Sequence, residues 1–128
     1  SWLNLMPILD ERIGKIFSQE TPLYSKYLGV AGRVDCVAEF DGVPSIIDFK
    51  TSKKPKKREW VTNYFTQESA YAIMWEERTG MPITNLVTIM DVDGNEPIVF
   101  KEHRDTWAPK LLETIDLYHQ DQRKRPLS

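Results

Sequence analysis

With 128 residues, 41% of them hydrophobic and 28% charged, the chain is sized for one compact domain with its own core, and its composition is that of a globular domain rather than a disordered one. A single cysteine, Cys36, excludes an internal disulfide and leaves no ligand set for a cysteine-bound zinc or iron-sulfur centre. The net charge of −2 does not by its sum mark a nucleic-acid binder, but Lys53, Lys54, Lys56, Lys57 and Arg58 fall within six positions and make a local basic patch.

In chain order, Leu3–Phe17 reads as a helix with Leu9, Ile13, Ile16 and Phe17 on one face, ending before Thr21-Pro22. Val30–Phe40 and Val43–Lys50 are β-rich runs around Asp41-Gly42, a strong hairpin signal, and are expected as antiparallel neighbours. Thr62–Gly80 reads as a helix closed by Gly80 with Pro82 beyond. Thr84–Val92 and Pro97–Glu102 flank Asp93-Gly94-Asn95 as a second hairpin, and a last helix is expected over about Thr106–Gln122, with Leu111, Leu112, Ile115 and Tyr118 inward. The order predicts an α/β fold, a central mostly antiparallel or mixed sheet flanked by helices. No apolar run approaches the roughly 18 residues of a membrane helix, and the start does not read as a signal peptide, so no membrane partner and an intracellular setting, cytoplasmic or mitochondrial, are expected.

Ionisable residues inside strands are costly unless something satisfies them. A two-residue Asp41-Gly42 loop pairs Phe40 with Val43, and by the same count sets Asp35 opposite Asp48 and Arg33 opposite Lys50. Asp48 and Lys50 then share one face of the sheet while Ile47 and Phe49 take the other. Opposed β-carbons are about 4.5–5.5 Å apart, so two carboxylates there either share a proton or recruit a cation, for which a hard divalent ion is the natural candidate. A four-residue loop ending at Pro44 would set Asp35 opposite Lys50 instead and keep the three side chains neighbours. The competing reading is structural: a cluster in which Lys50 neutralises two acids, or a solvated sheet face. Burial of Ser45–Lys50 on both faces, the second acid and the basic run that follows all weigh against it.

These residues resemble a known family. Gly32 with Asp35, then Asp48-Phe49-Lys50-Thr51-Ser52 at the end of an apolar strand, then Gln67 with Tyr71 on a helix, resemble the PD-(D/E)XK nuclease superfamily and, within it, the RecB-like exonucleases that include the mitochondrial genome maintenance exonuclease. The resemblance implies a restriction-endonuclease-like core and a Mg²⁺- or Mn²⁺-dependent deoxyribonuclease, an exonuclease on single-stranded or end-bearing DNA in replication, repair or recombination. A structure-specific endonuclease on the same core, or a weakly catalytic DNA-binding fragment of a larger assembly, is the alternative. Asp35 and Asp48 would ligate the metal with the backbone carbonyl of Phe49, and Lys50 would orient and help deprotonate the attacking water or stabilise developing charge. Thr51, Ser52, Lys53, Lys54, Gln67 and Tyr71 would contact DNA, and Glu20 matches an acid often found upstream. Relatives carry a histidine on a helix before the first aspartate, whereas the histidines here are His103 and His119. The expectation is therefore a single nuclease domain over 1–128 that lacks a histidine-bearing N-terminal part, or a member that binds metal without it.

Trp60, Tyr64 and Phe65 stand near the basic run as core or as base-stacking surface, with core favoured. The Asp91–Glu96 stretch has its glycine fourth rather than sixth, so a turn is expected there and not a calcium loop. Cys36 is expected to be a small buried hydrophobe facing away from Asp35, and His103 and His119 to be surface residues.

Overall fold

A computed structural model of the protein describes residues 2–54, 56, 57, 61–93 and 95–124, with side-chain detail between 6 and 121. Gly94, Arg58 and Trp60, which figure in the expectations above, lie outside the described residues. The elements run α1 (Trp2–Arg12), β1 (Ile13–Ser25), β2 (Val30–Phe40), β3 (Val43–Ser52), α2 (Thr62–Thr79), β4 (Asn85–Val92), β5 (Ile98–His103) and α3 (Arg104–Lys124). The five strands form one sheet in sequence order. Each pair is antiparallel except β3 with β4, which α2 joins as a parallel crossover. The mixed sheet flanked by helices is as the sequence predicts.

The first helix is a correction. It stops at Arg12, and Ile13–Ser25, whose first five residues are assigned above to helix, is an edge strand paired with β2. Ile13, Ile16 and Phe17 fit a helical period, but Gly14 weakens a helix, β-branched residues suit a strand, and the long partner β2 decides the outcome. Register shifts at Ile13/Ile16 and Ile16/Ser18 hide the two-residue alternation, and Ile16 is exposed. Pro22 is tolerated because β1 is at the sheet edge. The last helix begins at Arg104, two residues before its expected start, and only Leu111 of the residues assigned inward is fully buried: Leu112 and Tyr118 are exposed, and Ile115 is partly buried.

The Asp41-Gly42 turn is a two-residue loop with φ of 52° and 80°, which glycine and aspartate tolerate and which matches the strand twist. Asp41 is also held from outside. Arg12 donates two hydrogen bonds to its carboxylate, Lys101 Nζ lies 2.6 Å from Oδ2, and these cations, Arg12 foremost, keep the group well below the usual carboxylate range. This contact fastens α1, the β2–β3 turn and β5 together.

Two apolar clusters sandwich the sheet. Toward α1 lie Cys36, Ala38, Phe40, Ile47, Val87 and Ile89; toward α2 and α3 lie Val34, Val37, Ile46, Leu86, Met74 and Trp75. Val34 and Val37 are three apart yet share a cluster, so the alternation of β2 slips once between them, beside Asp35.

Candidate active site

The hairpin register holds from Phe40–Val43 to Cys36–Ile47 and ends there, one pair short of Asp35–Asp48. Where the ladder stops, the Asp35 side chain takes over: its Oδ2 accepts a hydrogen bond of 2.9 Å from the backbone N–H of Phe49. The strands therefore part at the two aspartates, and Asp35 bridges the gap.

Asp48 is buried, with only 3% of its surface exposed, and Lys50 Nζ lies 3.1 Å from its Oδ2 without a well-aligned hydrogen bond. Burial, then the hydrogen bond and charge of Asp35, push the Asp48 carboxyl up to about 7 against the opposing pull of Lys50. The Lys50 ammonium is lowered by burial, but the charges of Asp48 and Asp35 outweigh this and hold it above its usual range. It also sits 4.9 Å above the ring of Tyr64, so that residue supports the lysine and is no free stacking surface. Phe65 is wholly buried, packed on Phe100 and Trp107.

Glu68 was missed by sequence reasoning. It is wholly buried on α2, accepts a hydrogen bond from the Thr88 hydroxyl, and has its other oxygen without a partner. Thr88 is the β4 neighbour of Asp48. Burial raises the Glu68 carboxyl to about 9, with Asp48 and Asp35 adding to the rise and Lys50 and the Thr88 hydrogen bond opposing it. At neutral pH this is a protonated acid beside the aspartates. The local hint is the small size of its neighbours Ser69, Ala70 and Ala72, which marks a closely packed helix face.

Two of the three sequence motifs meet through packing. A Cβ placed on Gly32 would come 2.8 Å from Cε1 of Tyr71, so the absence of a side chain is what admits the ring. Burial and then the charges of Asp48, Asp35 and Glu68 raise the Tyr71 hydroxyl to about 12, while the backbone N–H of Arg33 opposes this. Gln67, one helical turn before Tyr71, is exposed instead.

Among the remaining candidates, Thr51, Lys53 and Lys54 are exposed, and Ser52 donates its hydroxyl to the carbonyl of Lys54 at 2.6 Å, capping the strand end. Glu20 has a φ of 48° and falls between the registered pairs Gln19–Cys36 and Thr21–Val34, across from Asp35. Glu20 and Asp35 both border a cavity of about 560 Å³ whose floor includes Phe49 and Leu9. The exposed carboxylate of Glu20 lies 3.8 Å from Arg33. Cys36 is buried in the α1-side cluster, and burial first, then the charge of Asp35, lifts its thiol to about 11. His103 is exposed, and His119 is half-buried with its Nε2 3.2 Å from the carbonyl of Leu28, so neither reaches the aspartates. β4 runs through Asp91 and Val92, after which Asp93 N–H bonds to the Ser52 carbonyl and Asn95 N–H to that of Val92, as a turn at the strand end.

Among the described residues no group of three or more His, Cys, Asp or Glu side chains stands in metal-holding geometry. A hard cation is nevertheless matched by the oxygen-only donor set of Asp35, Asp48 and the Phe49 carbonyl, and by the buried Asp48 oxygen that no hydrogen bond satisfies. No helix among the described residues is long and apolar enough to cross a membrane.

A family model of the PD-(D/E)XK nuclease superfamily matches residues 6–125. Against curated proteins the sequence has no significant match. Among solved structures, the fold is similar to that of a protein from Eubacterium rectale named "Putative exonuclease", with a TM-score of 0.57, 10% identity and 99% of this chain covered. Another, named SSO0001, covers 91% of this chain at 14% identity with a TM-score of 0.48, too low to carry an argument. The chain spans 62% and 56% of the lengths of these two structures.

Proposed function

The chain belongs to the PD-(D/E)XK nuclease superfamily, and on that premise we propose that it is a metal-dependent deoxyribonuclease of the RecB-like branch, an exonuclease on single-stranded or end-bearing DNA in replication, repair or recombination. Membership of the superfamily implies a nucleic-acid substrate and phosphodiester hydrolysis. The observation that carries the reading is the buried Asp48 carboxylate, with one oxygen lacking an aligned hydrogen bond, beside Asp35 and Lys50 where two strands part.

In this reading Asp35, Asp48 and the carbonyl of Phe49 hold a Mg²⁺ or Mn²⁺ ion. When bound, such an ion lowers the pKa of a coordinated water and polarises the scissile phosphate. Asp35 is oriented for its part by the Phe49 N–H, which fixes one of its oxygens. Lys50, held in its protonated form by the two aspartates, acts as a compact positive charge on the attacking water and the phosphate rather than as a resting general base. Tyr64 fixes its height above the strand. Thr51, Lys53 and Lys54, exposed just beyond Lys50, receive the phosphates of the departing strand. Ser52 contributes through the strand end it caps.

The test is cleavage of end-labelled linear single-stranded DNA and of circular single-stranded DNA with Mg²⁺, Mn²⁺ or EDTA. Linear DNA is expected to be degraded with either metal and spared in EDTA, and circular DNA to be spared throughout. Cleavage that persists in EDTA overturns the metal dependence, and cleavage of the circle replaces the exonuclease with an endonuclease.

A further inference from the structure

The β1–β2 hairpin continues past the point where β3 leaves it. Thr21–Ser25 stay paired with Val34–Val30, whereas the β2–β3 ladder has ended at Cys36–Ile47. The inner face of this arm is occupied: Leu23, Leu28 and Val34 pack into the cluster under α2 and α3. On the outer face, the register sets Pro22 beside Arg33 and Tyr24 beside Ala31. By strand alternation Ala31 and Arg33 share their face with Asp35, and Ala31 is about 13 Å from it at about 3.3 Å per residue.

This outer face has the composition of a strand-holding surface. Tyr24 is 64% exposed on an edge strand, and Lys26, Arg33 and Arg78 around it are exposed cations. Along the free edge of β1, where the arm meets α2, a cavity of about 800 Å³ is bordered by Pro22, Leu23, Tyr24, Lys26, Ala31, Gly32 and Arg78, which is room for a nucleotide. Its acid, Glu77, is turned into the hairpin, where it accepts hydrogen bonds from the Ser25 hydroxyl and the Lys26 N–H. Arg78 donates to the Pro22 carbonyl, which steadies the wall. Glu20 lies nearer Asp35 and faces Arg33.

We propose that this arm holds the single strand on the side of the site opposite the lysine run, with a base stacked on Tyr24 and its phosphates held by Arg33 and Lys26. The inference rests on the nuclease reading above and adds the means by which the site recognises an unpaired strand. A ring face can stack only on a base whose own face is open, whereas cations accept paired and unpaired backbones alike. Tyr27 serves as an internal control: it is 81% exposed at the tip of the same hairpin but borders a separate cavity, beside Glu76 and Arg104.

The test is fluorescence anisotropy of a labelled oligo-dT strand and of a blunt duplex in EDTA, with cleavage of linear single-stranded DNA in Mg²⁺ measured in parallel on the wild type. Tyr24→Ala is expected to weaken single-strand binding by about 5- to 100-fold and leave duplex binding within twofold. Tyr24→Phe and Tyr27→Ala should match the wild type, and Arg33→Ala should reduce the salt dependence of both ligands. Thermal unfolding confirms that these exposed substitutions leave the fold intact. Single-strand affinity unchanged in Tyr24→Ala, or an equal loss on the duplex, overturns the arm while wild-type cleavage leaves the nuclease reading standing. A wild type that neither binds nor cleaves DNA overturns both.

Discussion

On the side of the sheet that meets α1, β3 contributes Ile47 and Phe49 to an apolar cluster with Cys36, Ala38, Phe40, Val87 and Ile89. On the side that meets α2, the same strand contributes Ile46 and then Asp48 and Lys50, with Glu68, Thr88 and Tyr71 around them. Both faces are buried near Asp48, yet one is assembled from groups content without water and the other from groups that burial disfavours. Stability should therefore reside mainly in the α1 face and chemistry in the α2 face, and substitutions on adjacent residues of one strand should separate the two.

The largest separation is expected at Lys50. Lys50→Ala should lower DNA cleavage by about 10³-fold, as removal of a charge-stabilising donor does, with little change in thermal midpoint; cleavage surviving in this variant sinks the proposed role. Ile47→Ala should do the opposite, costing about 2–5 kcal/mol in urea unfolding through the cavity it leaves, with cleavage per folded molecule retained below the transition. A marginal loss there would mean that the α1 face is not the stabilising one.

The next effect is on pH dependence in metal-free protein. Asp48 and Glu68 are raised to about 7 and about 9, so the folded state holds protons that the unfolded chain has released. Their contribution to stability is complete below the ordinary carboxylate range near pH 4 and is lost as pH rises through about 7 for Asp48 and about 9 for Glu68. Glu68→Gln cannot ionise, so its thermal midpoint should gain on the wild type between pH 7 and 9; a gap that stays constant over that interval contradicts a protonated Glu68. The smallest effect belongs to Asp41→Asn, which weakens the contacts to Arg12 and Lys101 at the exposed turn. A slight fall in midpoint that fades in high salt is expected, and one that grows with salt would contradict an electrostatic origin.

What the sequence disclosed follows the range of the interactions responsible. The Asp41-Gly42 hairpin was legible because its positive φ values select those residue types locally. The register that brings Asp35 and Asp48 together follows from that turn, although the parting of the strands one pair earlier does not. The edge strand β1 was illegible because Ile13, Ile16 and Phe17 suit a helical face as well as a strand, and only pairing with β2 selects between them. Glu68 was passed over, since a glutamate on a helix ordinarily faces water; its burial depends on how α2 lies against β4, beyond any window of sequence. The contact between Gly32 and Tyr71 shows the reverse case, in which two separate motifs prove to be one piece of packing.

The contact of Asp41 with Arg12 and Lys101 also has a bearing on how this domain can vary. Asp48 lies seven residues from Asp41 along one strand, about 23 Å at about 3.3 Å per residue. Side chains alternate along that span, so one residue added at the turn would bring Ile47 and Phe49 to the α2 face and carry Asp48 and Lys50 into the apolar side. The turn length thus acts as a reading frame for the distant strand segment that carries Asp48 and Lys50. Insertions there should be tolerated only in pairs, whatever their composition.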